Sequence, residues 1–152
     1  MKTNDFQAFL LKSSVTAMAC DGRIDDSEIK EIKNMAKNEV YFMDFDFDQL
    51  LQDYLDYITT NGTKAVNEYL NELALANLNP GQELILVEVL INTIEADRKI
   101  EDNEIKFLQL VKSKLNTTEQ TLITKFPKQM NYLIDFNNYG MLKEFTGEIK
   151  FE

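Results

Sequence analysis

Apolar positions recur along most of this chain at the three- and four-residue spacing of a helix face, and strict alternation is rare. A first helix is predicted from Asp5 to about Cys20, with Phe6, Phe9, Leu10, Ala17 and Met18 as its apolar stripe. The Asp21-Gly22 pair stops it, because glycine takes the left-handed conformation common just past a helix end. Asp25 or Asp26 then caps a second helix carrying Ile29, Ile32, Met35 and Ala36. Glu39 to Asp48 mixes aromatics and acids (Tyr41, Phe42, Phe45, Asp46, Phe47, Asp48) and reads as a connector whose rings plug the core. The same segment is a candidate dock for a basic or apolar peptide.

Asp48 to Asn61 predicts a helix with Leu51, Tyr54, Leu55 and Ile58 inward, ended by Asn61-Gly62. Thr63 opens another, with Val66, Tyr69, Leu70, Leu73 and Leu75. Asn79-Pro80 is a standard helix start, proline filling the first helical position. The helix that follows, through Leu84, Leu86, Val87, Leu90, Ile91 and Ile94, is apolar nearly all round and belongs at the centre of a bundle. Glu104 to Leu115 places Ile105, Leu108 and Val111 inward. Asn116 to Glu119 caps a short helix ending near Lys125, and Phe126-Pro127 breaks it. Met130, Leu133, Ile134 and Phe136 fit one more helix, and Asn137-Asn138-Tyr139 a turn. Phe145, Ile149 and Phe151 give the tail some strand character.

One phrase occurs twice at a constant offset. Asp21-Gly22-Arg23-Ile24-Asp25-Asp26-Ser27-Glu28-Ile29-Lys30 reappears as Asp97-Arg98-Lys99-Ile100-Glu101-Asp102-Asn103-Glu104-Ile105-Lys106. Upstream apolar positions match too: Leu10 with Leu86, Leu11 with Val87, Met18 with Ile94. The expected fold is all-α: a single-domain bundle of about seven helices built on two pseudo-symmetric hairpins, with a two-helix insert between them. Residues 1–125 form the bundle, and 126–152 an extension that packs on it or reaches a partner.

Composition narrows the function. The 152 residues, 44% of them hydrophobic, suffice for one core. A formal net charge of −10 argues against nucleic acid and for cations or a basic partner. With no histidine and one cysteine, most zinc, copper and haem chemistry is excluded, as are catalytic triads and an internal disulfide. Cys20 itself reads as a small buried apolar side chain. No apolar run reaches the roughly 18 to 20 residues of a membrane span, and the N-terminus is not a signal peptide. The cytoplasm is the expected location.

The doubled phrase resembles the tellurite-resistance TerB-like family, whose two related hairpins each turn on an Asp-Gly-x-Ile-x-x-x-Glu-like motif. Ala17 to Glu28 fits the first copy; the second, Thr93 to Glu104, has Arg98 in place of glycine. The resemblance covers roughly residues 5 to 115. It implies an all-helical module with acidic residues as a metal site, linked to bacterial stress responses and to complexes at the inner membrane face; the expected protein is non-enzymatic. A related domain occurs in a membrane-anchored DnaJ-type co-chaperone.

The residues themselves allow two readings of the acids. Asp21 to Glu28 matches positions 5 to 12 of an EF-hand calcium loop, but positions 1 and 3 fall on Ala17 and Ala19, which offer no side-chain oxygen. One loop therefore supplies about half of the six to eight oxygens calcium takes. If the two turns meet, Asp21, Asp25, Glu28, Asp97, Glu101 and Glu104 pool their carboxylates into an all-oxygen site for calcium, magnesium or manganese. Glu28 and Glu104 would close it. The other reading is structural: Gly22 turns the chain, Ile24 and Ile100 staple each hairpin, and the acids cap the next helix for about 0.5–2 kcal/mol each. In that case the protein is a metal-independent protein–protein adaptor. A hydrolase built on a carboxylate–metal centre is a third reading.

Overall fold

From Leu10 to Cys20 every position of the chain except Lys12 is buried. This is the core of the fold in the computed structural model, which describes residues 3–22, 24, 26–38, 47–96, 99–147, 149 and 151. The helix concerned, α1 (Thr3–Ala19), was expected to show a single apolar stripe. Instead five helices cover it: it packs against α2 (Asp26–Asn38), α3 (Asp48–Asn61), α4 (Thr63–Ala74), α5 (Pro80–Glu95) and α6 (Asp102–Ser113), leaving the side that carries Asp5, Ala8 and Lys12 open.

Four polar residues lie on its buried faces, which hid this role in the sequence. Ser13 and Thr16 are tolerated there because each hydroxyl is doubly used. Ser13 Oγ donates to the Phe9 carbonyl (2.7 Å) and lies 2.5 Å from the Tyr69 hydroxyl. Thr16 Oγ1 donates to the Lys12 carbonyl (2.7 Å) and lies 2.9 Å from the Tyr54 hydroxyl. The back-bonds satisfy the hydroxyls within α1, and the tyrosines tie α1 to α3 and α4. Tyr69 also stacks on Phe9, ring centroids 5.1 Å apart.

The two predicted hairpins, α1–α2 and α5–α6, are present and pack together, chiefly through α1 on α5. All three apolar pairs matched across the repeat (Leu10/Leu86, Leu11/Val87, Met18/Ile94) are fully buried. The start of α5 is built as its sequence demands. Asn79 Oδ1 accepts the Gln82 N–H (2.8 Å), Gln82 Oε1 accepts the Asn79 N–H (3.0 Å), and Pro80 fills the first turn. The helix α6 buries more than expected, with Phe107 and Leu110 joining Leu108 and Val111 in the core.

Beyond α6, Thr118 caps α7 (Glu119–Lys125). The helix expected next is one turn, α8 (Met130–Leu133), preceded by a 3-10 turn at Pro127–Gln129. Leu133 is buried, but Ile134 is extended and Phe136 is 69% exposed, so the apolar spacing there does not make a longer helix. Leu75, expected on the inner face of α4, lies beyond its end and is 82% exposed. Eight helices and no strand occur among the described residues. The connector predicted over Glu39 to Asp48 lies largely outside them; Phe47, at its end, packs on the core.

The tail docks without a strand. Phe145 is fully buried, and the Asn67 side chain grips its backbone from both sides. Asn67 Oδ1 accepts the Phe145 N–H (2.7 Å), while Asn67 Nδ2 donates to the Phe145 carbonyl (2.9 Å). One amide side chain thus does what a neighbouring strand would do. Thr63 Oγ1 donates to the Gly147 carbonyl (2.9 Å), and Ile149 and Phe151 rest against the core.

Candidate functional site: the two acidic turns

At the first turn α1 ends at Ala19, and the Gly22 N–H returns to the Ala19 carbonyl at 2.9 Å. Gly22 has φ +77°, the left-handed conformation its residue type predicts. Asp21 is half-buried and Ile24 packs against the core. At the second turn Ile100 packs in the same way, and the chain enters α6 through an extended Glu101. The Glu101 N–H donates to Glu104 Oε1 at 3.0 Å, a reach-back that satisfies a donor at the helix start. Lys106 pairs with Asp102 and Lys99 with Glu101, both at 3.3 Å.

The turns meet. Asn103, the second residue of α6, donates its side-chain amide to the Cys20 carbonyl at the end of α1 (3.1 Å). Cys20 is fully buried and donates its thiol to the Thr16 carbonyl at 3.2 Å. Burial pushes that thiol's pKa well up, and the carboxylates of Glu104 and then Asp21 push it further. An acid from each copy of the repeat therefore acts on the same sulfur. Glu104 is itself fully buried. The tail closes over the junction: a Cβ added to Gly147 would lie 2.9 Å from Asn103 Oδ1 and 2.6 Å from the Phe145 ring.

Of the six predicted carboxylates, Asp21, Glu101 and Glu104 are described. Asp21 and Glu104 come to the junction, and Glu101 stands at the helix start with Lys99. Glu28 lies on α2, but its side chain, with Asp25 and Asp97, falls outside the described residues. Among the described residues no group of three or more Asp, Glu or Cys side chains is placed to hold a metal ion.

Two residues with structural weight were not singled out by sequence. Asn103 occupies the repeat position of Ser27, and only its place in the repeat hinted at a contact between copies. Glu83, on the first turn of α5, is buried and takes three donors from the loop after α6: the Asn116 N–H (3.0 Å), the Thr117 N–H (2.8 Å) and the Thr117 hydroxyl (2.5 Å). An acid near the start of a helix looks like ordinary dipole compensation, so nothing in the sequence marked it as a latch.

No helix among the described residues is long and apolar enough to cross a membrane. Neither a curated protein nor a solved structure matches the chain. Residues 8–125, from the first turns of α1 to the end of α7, match the family described as Tellurite resistance protein TerB. That span includes both acidic turns and every helix that positions them, so the chain belongs to the TerB family.

Proposed function

We propose that this is a non-enzymatic module of the cytoplasm and of bacterial stress biology, whose paired acidic turns bind a divalent cation weakly. Glu104 and Asp21 are the central donors, with Glu28, Asp25, Asp97 and Glu101 completing the oxygen set for calcium, magnesium or manganese. The observation that carries this reading is the Asn103–Cys20 bond, which ties the start of α6, one residue before the buried Glu104, to the end of α1, one residue before Asp21. Concentrated carboxylate charge at a buried junction is what a hard cation would neutralise.

A second reading is favoured by the Glu101 N–H bond to Glu104. It makes the acids helix caps, and the protein a metal-independent adaptor for a protein partner, including one in a membrane-associated complex.

Melting curves of the full chain in chelator and in millimolar calcium, magnesium or manganese separate the two. An ion at 100 times its dissociation constant adds about 2.7 kcal/mol, roughly 5–10 °C in Tm for a domain of this size. Glu104→Gln and the less buried Asp21→Asn should each remove the shift. No shift with any ion would sink the cation reading. A shift that survives both substitutions would reduce it to screening of the −10 charge.

A further inference from the structure

A groove of about 480 Å³ lies where α1, α3 and α4 meet, well inside the roughly 300–1,000 Å³ of known ligand sites. It shares no residue with the acidic turns. Its floor is apolar, formed by Phe9 and Leu11 of α1 and Tyr54 of α3, and Leu50 and Tyr57 stand at its edge, 36% and 40% exposed. Tyr54 is held in this floor by the 2.9 Å bond of its hydroxyl to the buried Thr16.

The charge around it is one-sided. Asp5, Asp53 and Glu72 line the groove against Lys12. Lys12 also displays what this wall does with a cation: its ammonium is 2.6 Å from Glu72 Oε2 and 5.3 Å from the centre of the Tyr54 ring. Asp53 accepts the neutral Gln49 amide at 2.8 Å. Among the described residues neither Asp5 nor Asp53 has an ion pair.

We propose that this groove docks a basic amphipathic helix of a partner protein. The helix would lay apolar anchors against Leu50, Tyr54 and Tyr57 and set Lys or Arg on Asp5 and Asp53. Apolar floor with acidic edge is the complement of such a helix. A second copy of this chain fits poorly, since it would bring the same acids and a net charge of −10 to an acidic rim. The proposal stands apart from the cation reading.

The test selects peptides from a displayed random helical library on the immobilised full chain, in chelator so that no cation effect enters. Selected peptides should carry Leu, Ile or Phe at helical spacing with Lys or Arg beside them. Their affinity, read by fluorescence anisotropy, should fall about tenfold or more with Leu50→Glu and with Asp53→Lys, both exposed positions. It should hold with Glu88→Lys, an exposed acid of α5. No enrichment, or enriched peptides lacking basic residues, would overturn the proposal. So would equal weakening by Glu88→Lys, which would mean bulk charge attraction. A dimer seen in sedimentation and abolished by Leu50→Glu would assign the face to a second copy instead.

Discussion

Replacing Phe145 with alanine asks whether the tail belongs to the folding unit or merely follows it. The ring is 1% exposed and lies beyond residue 125, where the family match ends. A buried Phe→Ala change costs about 3–5 kcal/mol when the surroundings cannot collapse into the space. Here the tail has an escape that a central helix lacks: it can detach. Its loss is then capped by the docking energy, the ring's burial of about 1.5–3 kcal/mol plus three hydrogen bonds at about 1 kcal/mol each. Ordering of the tail offsets part of this, so about 3 kcal/mol is expected, or roughly 6–12 °C in Tm by circular dichroism. Asn67→Ala should cost about 1–3 kcal/mol, because it strips partners from the Phe145 N–H and carbonyl together. The double variant should lose clearly less than the sum, since a tail already released has nothing further to lose. A Phe145→Ala melting point within about 1 °C of the parent, or strict additivity with Asn67→Ala, would refute this account. The same result bears on the adaptor reading, in which the extension over residues 126–152 reaches a partner: a tail that carries this much of the stability is not free to leave the bundle without cost.

Glu83→Ala should cost about 2–4 kcal/mol in chemical denaturation, because three donors lose one buried carboxylate; Glu83→Gln should recover part of it through its remaining oxygen. Alkaline pH should unfold the chain. The Tyr132 hydroxyl donates to Glu95 (2.7 Å), which with partial burial lifts its pKa from 10 to about 12. Burial also raises Tyr54 and Tyr69. These groups are held protonated by the fold, so their contribution is complete below pH 10 and is lost as pH rises towards 12 and beyond. Part of the tyrosinate absorbance should therefore appear together with loss of helicity, and titration of all six tyrosines near 10 in the folded state would contradict this. Cys20 should resist thiol reagents under native conditions, since it is buried and its thiol is held protonated. Labelling as fast as in denaturant would show that the junction opens freely.

Helix positions were legible because their signals are local. Asn79-Pro80, Thr118-Glu119 and Asp21-Gly22 each fix a boundary through their own backbone chemistry, and the structure has boundaries there. The repeat showed the hairpins because both copies bury the same apolar positions. What was not legible depended on partners distant in sequence. Ser13 and Thr16 look like surface residues until Tyr69 and Tyr54 arrive. Phe145 looked like part of a strand because its alternating pattern says nothing about Asn67. At the acidic turns the sequence marked the carboxylates, but not that Asn103 would join one turn to the other.

The burial of α1 from Leu10 to Cys20, Lys12 excepted, has a consequence for synthesis. Each element that covers it is translated later, and α5, its main partner, begins at Pro80. Until then the segment from Leu10 to Cys20 lacks the helix that covers it most, and only α2, α3 and α4 are available to it. Such a chain should fold late and all at once, at a pace set by closing the long loop to α5. While it waits it is a natural client for a chaperone that holds apolar segments.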